Sequence, residues 1–185
     1  MDVIIGLGSN QEYREMKPFE ILNNAKKKME RRKIVLGTQS KVYISHPFSD
    51  TSGPKYSNSV LIATYAGKPH ELLFELQQIE YELGRVRHER WGNRSCDLDI
   101  LAIDDLILPN IIEFNHWVSI GLNEQIKISP TELIVPHPRI QDRGFVLKPL
   151  VSIFPNWRHP VFKKTASDLF NSLPDDQKVF DVELT

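Results

Sequence analysis

The sequence lacks the features that mark secreted, membrane-spanning and nucleic-acid-binding proteins. Cys96 is the one cysteine, so no disulfide can form within the chain, as is typical of reduced, cytoplasmic proteins. No apolar run approaches the ~20 residues needed to cross a bilayer, and the N-terminus lacks the basic and apolar regions of a signal peptide. The 23 basic and 24 acidic side chains nearly cancel, which argues against a broad nucleic-acid surface. We therefore expect a cytoplasmic protein with neither a membrane nor a nucleic-acid partner.

Two common kinds of site are also missing. The six histidines form no HExxH motif and the chain has no cysteine pair, so a zinc site is not expected. The segment from Gly6 to Asn10 superficially resembles a nucleotide loop, but it lacks the lysine and spacing of a P-loop and the third glycine of a dinucleotide fingerprint. We interpret it as a strand-to-helix turn. If the protein handles phosphate, side chains rather than a glycine-rich backbone must hold it.

The first half of the chain alternates between strand and helix patterns. With 185 residues, of which 41% are hydrophobic and 25% charged, the chain has the composition of a single compact domain. The predicted strands are 3–7, 33–45, 56–65 and 96–103, and the predicted helices are 17–31 and a second from Pro69 to a C-cap at Gly84. This order is the split βαβ pattern of a ferredoxin-like α+β sandwich, βαββαβ.

The second half adds elements to that sandwich. Residues 106–134 contain apolar residues without a clean period, and we interpret them as an insert. Residues 135–138 form a rigid, proline-fixed link, and a short helix is predicted from Arg143 to Val151. A last helix is predicted around Ala166 to Leu173, and the tail 175–185 is either a loose end or an edge strand. We thus predict one domain over 1–185, with additional C-terminal elements.

The motif Asp97-Leu98-Asp99 lies on a predicted strand. Alternate strand residues share a face, so both carboxylates project together while Leu98 points into the core. Two adjacent carboxylates repel each other unless a cation lies between them, and Mg²⁺ is commonly held by one or two carboxylates with water and phosphate oxygens. The alternative is a solvated strand end whose acids form salt bridges with nearby arginines. For an isolated motif this alternative is the more common one.

A cluster of arginines precedes that motif. They are Arg85, Arg87, Arg90 and Arg94, opposed only by Glu89. Each guanidinium offers a planar fork of donors that matches phosphate oxygens, although a solvated basic loop is the simpler interpretation. Trp91 argues against a merely solvated loop, because an indole in a polar segment favours stacking on a substrate ring or on the core. Gly84 and Gly92 bracket the segment and would let it move as a lid. Arginine beside Mg²⁺ is the usual equipment for phosphoryl transfer.

Four motifs together resemble the 6-hydroxymethyl-7,8-dihydropterin pyrophosphokinase family. They are GLGSN at 6–10, YSNS at 56–59, GRVRHERWGNRSCDLDI at 84–100 and VPHPRIQDRGFVLKPL at 135–150. The resemblance covers roughly 1–105 and 135–173. It implies transfer of diphosphate from ATP to the hydroxymethyl group of the dihydropterin, with release of AMP, in folate biosynthesis.

The resemblance also implies roles for individual residues. Asp97 and Asp99 would bind two Mg²⁺ ions that bridge the triphosphate of the co-substrate ATP. The implied catalytic residues are Arg85, Arg94, Asp97 and Asp99. The implied nucleotide-binding or supporting residues are Gln77, Glu80, Arg87, Trp91, Ile100, His137 and Arg143. The implied pterin-binding residues are Ser45, Pro47, Phe48, Tyr56, Asn58 and Phe145, in which aromatic rings sandwich the heterocycle and the amide pairs with its polar edge.

Some positions depart from the family pattern. His88 stands where some members carry lysine, Glu132 where an arginine occurs and Ile134 where relatives have a small polar residue. We expect these changes to weaken ATP contacts and raise the KM for ATP. Residues 109–130 are longer than expected, and a lid extension, an oligomer contact or a species-specific insert would each explain them. The expected oligomeric state is a monomer or a weak homodimer.

Two other classes of function are compatible with the predicted fold. An RNA-binding module using the arginine segment would need exposed aromatic residues on the sheet and a basic surface, which the net charge of −1 disfavours. A catalytically inactive relative would keep the fold alone, and the intact Asp97, Asp99 and Asn58 disfavour it. Detection of AMP from ATP and the dihydropterin separates an active enzyme from both.

Overall fold

A six-stranded sheet forms the centre of the computed structural model, which describes residues 1–47, 53–85, 93–121, 124, 127–178 and 180–182. The strands are β1 (Asp2–Ser9), β2 (Val35–Gln39), β3 (Tyr43–Ser45), β4 (Tyr56–Thr64), β5 (Asp97–Ile103) and β6 (Asp181–Val182). Their order is β5-β1-β4-β3-β6, with β2 paired to the other half of β4, and every described pairing is antiparallel. This is the strand order of a ferredoxin-like sheet, as the sequence predicted.

Five α-helices surround the sheet in the described part of the chain. They are α1 (Pro18–Arg31), α2 (Pro69–Glu82), α3 (Ile111–Ser119), α4 (Gly144–Ile153) and α5 (Ala166–Asn171), with short 3₁₀ helices at Ile140–Asp142 and Asp175–Lys178. Both α1 and α2 begin with proline in the first turn and a glutamate at the third position. The carboxylates of Glu20 and Glu71 each accept a hydrogen bond from the backbone amide just before the helix, at 2.8 Å. These caps explain why both helices begin where the sequence predicted.

Apolar side chains cover both faces of the sheet. On one face α1 and α2 bury residues such as Leu22 and Leu76 against Ile5 of β1. On the other face α4 and α5 bury residues such as Leu147 against Ile4 and Leu101. The C-terminal elements are therefore a third layer, which places α4 over the strand face that carries Asp97 and Asp99.

The strand predicted over 33–45 is interrupted. The register shifts between Leu36 and Gln39, and β3 begins only at Tyr43. Between the two strands, the Ser40 hydroxyl accepts a hydrogen bond from the Val60 amide at 3.0 Å, which replaces a regular ladder contact. At the other edge of β3 the residues of β6 form a short pairing, so this part of the tail is an edge strand.

The segment without a clean period contains α3. Asn110 caps the helix through its Oδ1 atom, which accepts from two backbone amides at 2.9 and 3.0 Å. The side chain of Phe114 is the one buried residue of this helix and packs near the rings of His159 and Phe162, with centroid distances of 5.7 and 5.9 Å. A helix that buries one residue gives no apolar stripe, and this explains why the sequence did not predict it.

Candidate active site

A cleft of about 400 Å³ crosses the sheet beside α4. It begins at β3 with Ser45 and passes Asn58 on β4. It then crosses Gly8 on β1 and reaches Asp97 and Asp99 on β5. The cleft thus follows the strand order, with one end at β3 and the other beyond β5.

Asp97 lies at the centre of a network of charged side chains. Its Oδ1 is 2.5 Å from Nη1 of Arg85, and its Oδ2 accepts a hydrogen bond from Nη1 of Arg94 at 2.8 Å. Burial alone would raise the pKa of Asp97, but the charges of Arg94 and Arg85 outweigh it and hold the pKa below its usual value. Asp97 is therefore ionised at neutral pH.

Asp99 is the less compensated of the two carboxylates. Arg143 is its nearest cationic partner, at 3.6 Å from Nη1 to Oδ2. Burial and the charge of Asp97 raise the pKa of Asp99 to about 6 in spite of that arginine. The two carboxylates repel each other enough to disfavour full ionisation, which is the electrostatic condition under which a cation binds well.

Glu80 supports this network from behind. Its Oε1 accepts a hydrogen bond from the Leu98 amide at 2.7 Å and pairs with Nη1 of Arg85. Burial raises the pKa of Glu80 to about 7, although Arg85 opposes the shift. The Glu80 carboxylate thereby links α2 to β5 and holds the Arg85 guanidinium in position against Asp97.

Arg94 is positioned by the turn that follows β1. The Asn10 Oδ1 accepts from the Arg94 amide at 2.7 Å, and the Asn10 amide donates to the Arg94 carbonyl at 3.0 Å. The Asn10 side chain also donates to Oδ1 of Asn93 at 2.9 Å. The turn therefore serves to hold an arginine, rather than to bind phosphate through its own backbone.

The β3 end of the cleft is built around a buried amide. The Asn58 Nδ2 donates to the Ser45 hydroxyl at 3.0 Å and lies 3.3 to 3.4 Å from two backbone carbonyls, so its donors are engaged within the protein. A Cβ on Gly8 would stand 3.7 Å from Asp97 Cβ and 3.8 Å from Asn58 Oδ1. A longer side chain there would fill the space between the carboxylate and the amide, so glycine keeps the cleft open. Tyr56 and Phe145 line the same end.

A neutral histidine lies beyond β5. The His137 amide donates to the Leu101 carbonyl at 2.8 Å, which extends the edge of the sheet. Burial and the charge of Arg143 hold the pKa of His137 well below its ordinary value. Its Nδ1 accepts a hydrogen bond from the Arg139 amide at 3.1 Å, so the ring proton is on Nε2, which is a donor.

Most of the residues that the sequence singled out line this one cleft. They are Ser45, Pro47, Tyr56, Asn58, Arg94, Asp97, Asp99, Ile100, His137, Arg143 and Phe145. Arg85 and Glu80 lie behind Asp97 rather than on the lining, and Gln77 is a half-buried residue of α2 that does not line it. Phe48, Arg87, His88 and Trp91 lie outside the described residues.

Sequence reasoning missed other residues of the cleft. Asn10 was interpreted only as part of a turn, although it organises Arg94. Trp117, Ile128 and Pro130 of the segment 106–134 form part of the lining, and no role was predicted for them. The signal that could have identified this surface is the tryptophan itself, because a large aromatic side chain in a segment without an apolar stripe is typical of a binding surface.

Neither a complete metal cluster nor a membrane span occurs in the described part of the chain. No group of three or more His, Cys, Asp or Glu side chains comes together there as a self-sufficient ion site. None of the helices described has the length and apolar character of a bilayer-crossing segment. The buried thiol of Cys96 has a pKa raised well above its usual value by burial, as expected for an unreactive core residue.

Comparisons with known proteins identify the family to which this chain is similar. The family model for 7,8-dihydro-6-hydroxymethylpterin-pyrophosphokinase (HPPK) matches residues 4–155. The 2-amino-4-hydroxy-6-hydroxymethyldihydropteridine pyrophosphokinase of Pseudomonas aeruginosa is 35% identical over 159 residues, which are 85% of this chain and 83% of that protein. The enzyme of the same name from Aquifex aeolicus is 30% identical over 162 residues, 88% of this chain and 86% of that protein.

Longer proteins contain a similar region. The folic acid synthesis protein fol1 of Pneumocystis carinii is 34% identical over 173 residues, but this chain spans only 20% of its length. The crystal structure of wild-type HPPK-DHPS from Plasmodium falciparum matches 92% of this chain and 44% of that chain, with a TM-score of 0.62 and 15% identity. At that identity the likeness shows the fold alone. The family model and the two single-function relatives carry the stronger statement, which is that this chain belongs to the HPPK family.

Proposed function

We propose that this chain transfers diphosphate from ATP to the hydroxymethyl group of 6-hydroxymethyl-7,8-dihydropterin and releases AMP, as the name of its family indicates. One observation carries the proposal for the site. Asp97 and Asp99 project into the middle of a single cleft, and three arginines contact them. The cleft extends to both sides of this charged centre, which leaves room for two reactants to meet there.

The carboxylates fit the role of magnesium ligands. Their side chains lie on the same strand face and repel each other, and together they supply fewer ligands than an ion needs. Mg²⁺ suits such a pair because it commonly completes its shell with water and phosphate oxygens. When bound, two Mg²⁺ ions would neutralise the charge of the triphosphate and orient it. Asp97 and Asp99 are the residues that would hold them.

The arginines would contact what the metal leaves exposed. Arg94 and Arg143 line the cleft on either side of the acidic pair, and each offers donors that suit phosphate oxygens. Arg85 contacts Asp97 and Glu80, so its role is to hold the carboxylate and to add positive charge to the centre. Arg87 and Trp91 stay predictions from the family resemblance.

The β3 end would bind the dihydropterin. Asn58 is buried with its amide hydrogens engaged, so its Oδ1 is the atom suited to accept a hydrogen bond from the polar edge of the heterocycle. Tyr56 and Phe145 provide aromatic surface for its faces, and Ser45 and Pro47 complete the wall. Phe48 stays a prediction of the same kind.

The end beyond β5 would bind the nucleotide. His137 presents a neutral ring whose Nε2 proton can be donated without adding charge. Ile100 supplies apolar surface beside it, and Glu80 supports the site from below rather than by contact. The role of Gln77 in nucleotide binding also stays a prediction. So do the cytoplasmic location, the monomeric or weakly dimeric state and the expectation of no nucleic-acid or membrane partner.

The chemistry needs no covalent intermediate. The substrate hydroxyl gives up its proton to solvent as its oxygen attacks the β-phosphorus in line, the bond from that phosphorus to the α-phosphate oxygen breaks, and AMP leaves. The chain's contribution is to hold two reactants in one cleft and to surround the transferring group with fixed positive charge.

The test is the appearance of AMP. Purified protein with Mg²⁺, ATP and 6-hydroxymethyl-7,8-dihydropterin should release AMP in proportion to enzyme, whereas ATP alone should not. Asp97→Ala should lower kcat by at least a thousandfold, because it removes a metal ligand and the carboxylate that Arg85 and Arg94 share. Asp105→Ala, an exposed carboxylate just after β5, is the matched control and should keep the wild-type rate.

Two results would contradict the proposal. Absence of AMP at high enzyme concentration, with ATP still bound tightly, would identify an inactive relative. Full activity of Asp97→Ala would show that the metal site lies elsewhere.

A further inference from the structure

We propose that Trp117, on α3, is a nucleotide-binding residue and that its indole forms the wall against which the base of ATP packs. The inference rests on the proposed function, because it takes the charged centre of the cleft as the site of the triphosphate. It assigns a substrate contact to residues 109–130, to which the family resemblance gave no residue role.

The direction in which the cleft runs indicates where the base of ATP would lie. The cleft runs from β3 across β4 and β1 to β5, and the acidic pair on β5 lies between its two ends. The triphosphate would occupy this centre, so the base attached to it must extend to one end. The β3 end holds the buried amide of Asn58 and its Ser45 partner, which are suited to the pterin. The base is left with the end beyond β5.

That far end is largely apolar, although the exposed Glu132 also lines the cleft. Trp117, Ile128 and Pro130 come from the segment 106–134, and Leu73 of α2 and Ile134 also line the cleft. A flat heterocycle that leaves water gains most between apolar walls, and an indole offers the largest such surface on a side chain. Stacking on an aromatic ring tolerates any base, so this end would provide affinity before specificity.

The backbone of Trp117 is fixed to the rest of the site by Arg139. The guanidinium donates to the carbonyls of Trp117, Val118 and Ile120 at 2.7, 3.0 and 2.7 Å. These carbonyls lie at the C-terminal end of α3, and Arg139 itself is only 8% exposed. Arg139 follows His137 by two residues, so it links the end of α3 to the segment that carries the Nε2 donor.

A second anchor fixes the rotation of α3. Phe114 is fully buried, with His159 and Phe162 of the C-terminal region as ring neighbours. Trp117 follows it by three residues, nearly one full turn, so the two side chains lie about 60° apart around the helix axis. Since Phe114 must face inward, Trp117 stands beside it, half-buried, where it lines the cleft.

The experiment compares ligands with and without a base. Binding of α,β-methylene-ATP and of inorganic tripolyphosphate, each with Mg²⁺, is measured by calorimetry for wild type and Trp117→Ala. Loss of base stacking should weaken binding of the nucleotide analogue by about tenfold or more and leave tripolyphosphate binding unchanged. Trp117→Phe should keep most of the affinity, because a ring remains, and Trp117→Leu should lose most of it.

The matched control is Ile112→Ala on the exposed side of the same helix, where the side chain is 75% exposed. It should bind both ligands as wild type does. Equal weakening of nucleotide and tripolyphosphate would overturn the proposal, because the residue would then support the fold rather than contact the base. Unchanged nucleotide binding, or a raised KM for the dihydropterin alone, would overturn it as well.

If Trp117→Ala fails to fold, the comparison of Trp117→Phe with Trp117→Leu decides the question through the same two ligands. Wild-type protein that binds the analogue but releases no AMP would refute the proposed activity and leave this test intact. The two proposals can therefore fail separately.

Discussion

The two ends of the cleft are built in different ways. At the β3 end, Ser45 and Asn58 are strand residues, and the backbone ladder between β3 and β4 sets their separation. Beyond β5, Trp117 belongs to a short helix that a few side-chain contacts hold in place, chiefly those of Arg139 and Phe114. A site built into a sheet is rigid because many hydrogen bonds must break together, whereas a site on an anchored segment depends on each anchor.

The largest expected difference between these ends is their response to acid. His159, which packs against Phe114, is fully buried, and its Nδ1 accepts from two backbone amides. Burial, assisted by Lys163, lowers the pKa of His159 to about 4, below its usual value of about 6.5. The unfolded chain therefore binds the proton first as pH falls. Stability from the neutral ring is complete above about pH 6.5 and declines towards pH 4, by about 3 kcal/mol.

Denaturant unfolding between pH 7 and pH 4 measures this decline. His159→Asn should flatten it, because the amide oxygen can accept the same backbone hydrogen bonds and does not titrate. His70→Asn, at an exposed position, is the matched control and should follow the wild-type curve. A pH profile of His159→Asn as steep as that of the wild type would assign the acid sensitivity to other groups.

At the β3 end, Asn58→Ala should lower kcat/KM for the dihydropterin by roughly a hundredfold. It removes the acceptor that faces the cleft and leaves the Ser45 hydroxyl without its donor. Affinity for α,β-methylene-ATP should stay within about twofold of wild type, since the nucleotide occupies the other end. Steady-state kinetics with each substrate varied separately measure both effects. Equal losses for the two substrates would mean that the ends are not independent.

At the anchored end, Arg139→Ala should raise the KM for ATP by about tenfold. The hydrogen bonds from the guanidinium to three carbonyls at the end of α3 are lost, so Trp117 is no longer held against the cleft. The KM for the dihydropterin should change little, and Arg139→Lys should restore part of the affinity. Asp142→Ala is the control, because its contact with Arg139 is long, at 3.5 Å. A loss confined to kcat would contradict the anchoring role.

The smallest expected effect concerns Glu132, an exposed carboxylate that lines the cleft. Its charge repels a polyphosphate, so Glu132→Gln should lower the KM for ATP by about twofold. The gain should shrink at high salt, because exposed charges are screened. Measurement of KM at two ionic strengths tests both statements. A raised KM would instead indicate a favourable contact with the nucleotide.

The sequence predicted the strand end of the cleft better than the anchored end. Alternation along 97–99 correctly placed both carboxylates on one face, and the motif around Asn58 correctly fell on a strand, with β1 between it and β5. The inward position of Arg85 could not be predicted in the same way. It depends on Glu80, which reaches β5 from α2 through the Leu98 amide, and such a long-range contact leaves no local pattern.

The anchored end left still weaker signals. Because α3 buries only Phe114, no periodicity marked the helix, and nothing in the sequence paired Arg139 with carbonyls about twenty residues earlier. The proline-fixed segment 135–138 was expected to be extended, and it does run beside β5. The sequence did not show which element would pack against its other side. Sequence reasoning thus predicted the positions of residues that secondary structure determines. It missed the contacts that depend on individual side chains.

The bridge between Leu108 and Val135 has a consequence for how such enzymes diversify. Its two backbone hydrogen bonds, at 2.7 and 3.1 Å, bring the ends of the intervening segment side by side. A segment whose ends already meet can be lengthened, shortened or exchanged at little cost to the strands that it interrupts. Natural variation can therefore change the part of the cleft wall that Trp117 provides while the acidic pair on β5 is kept.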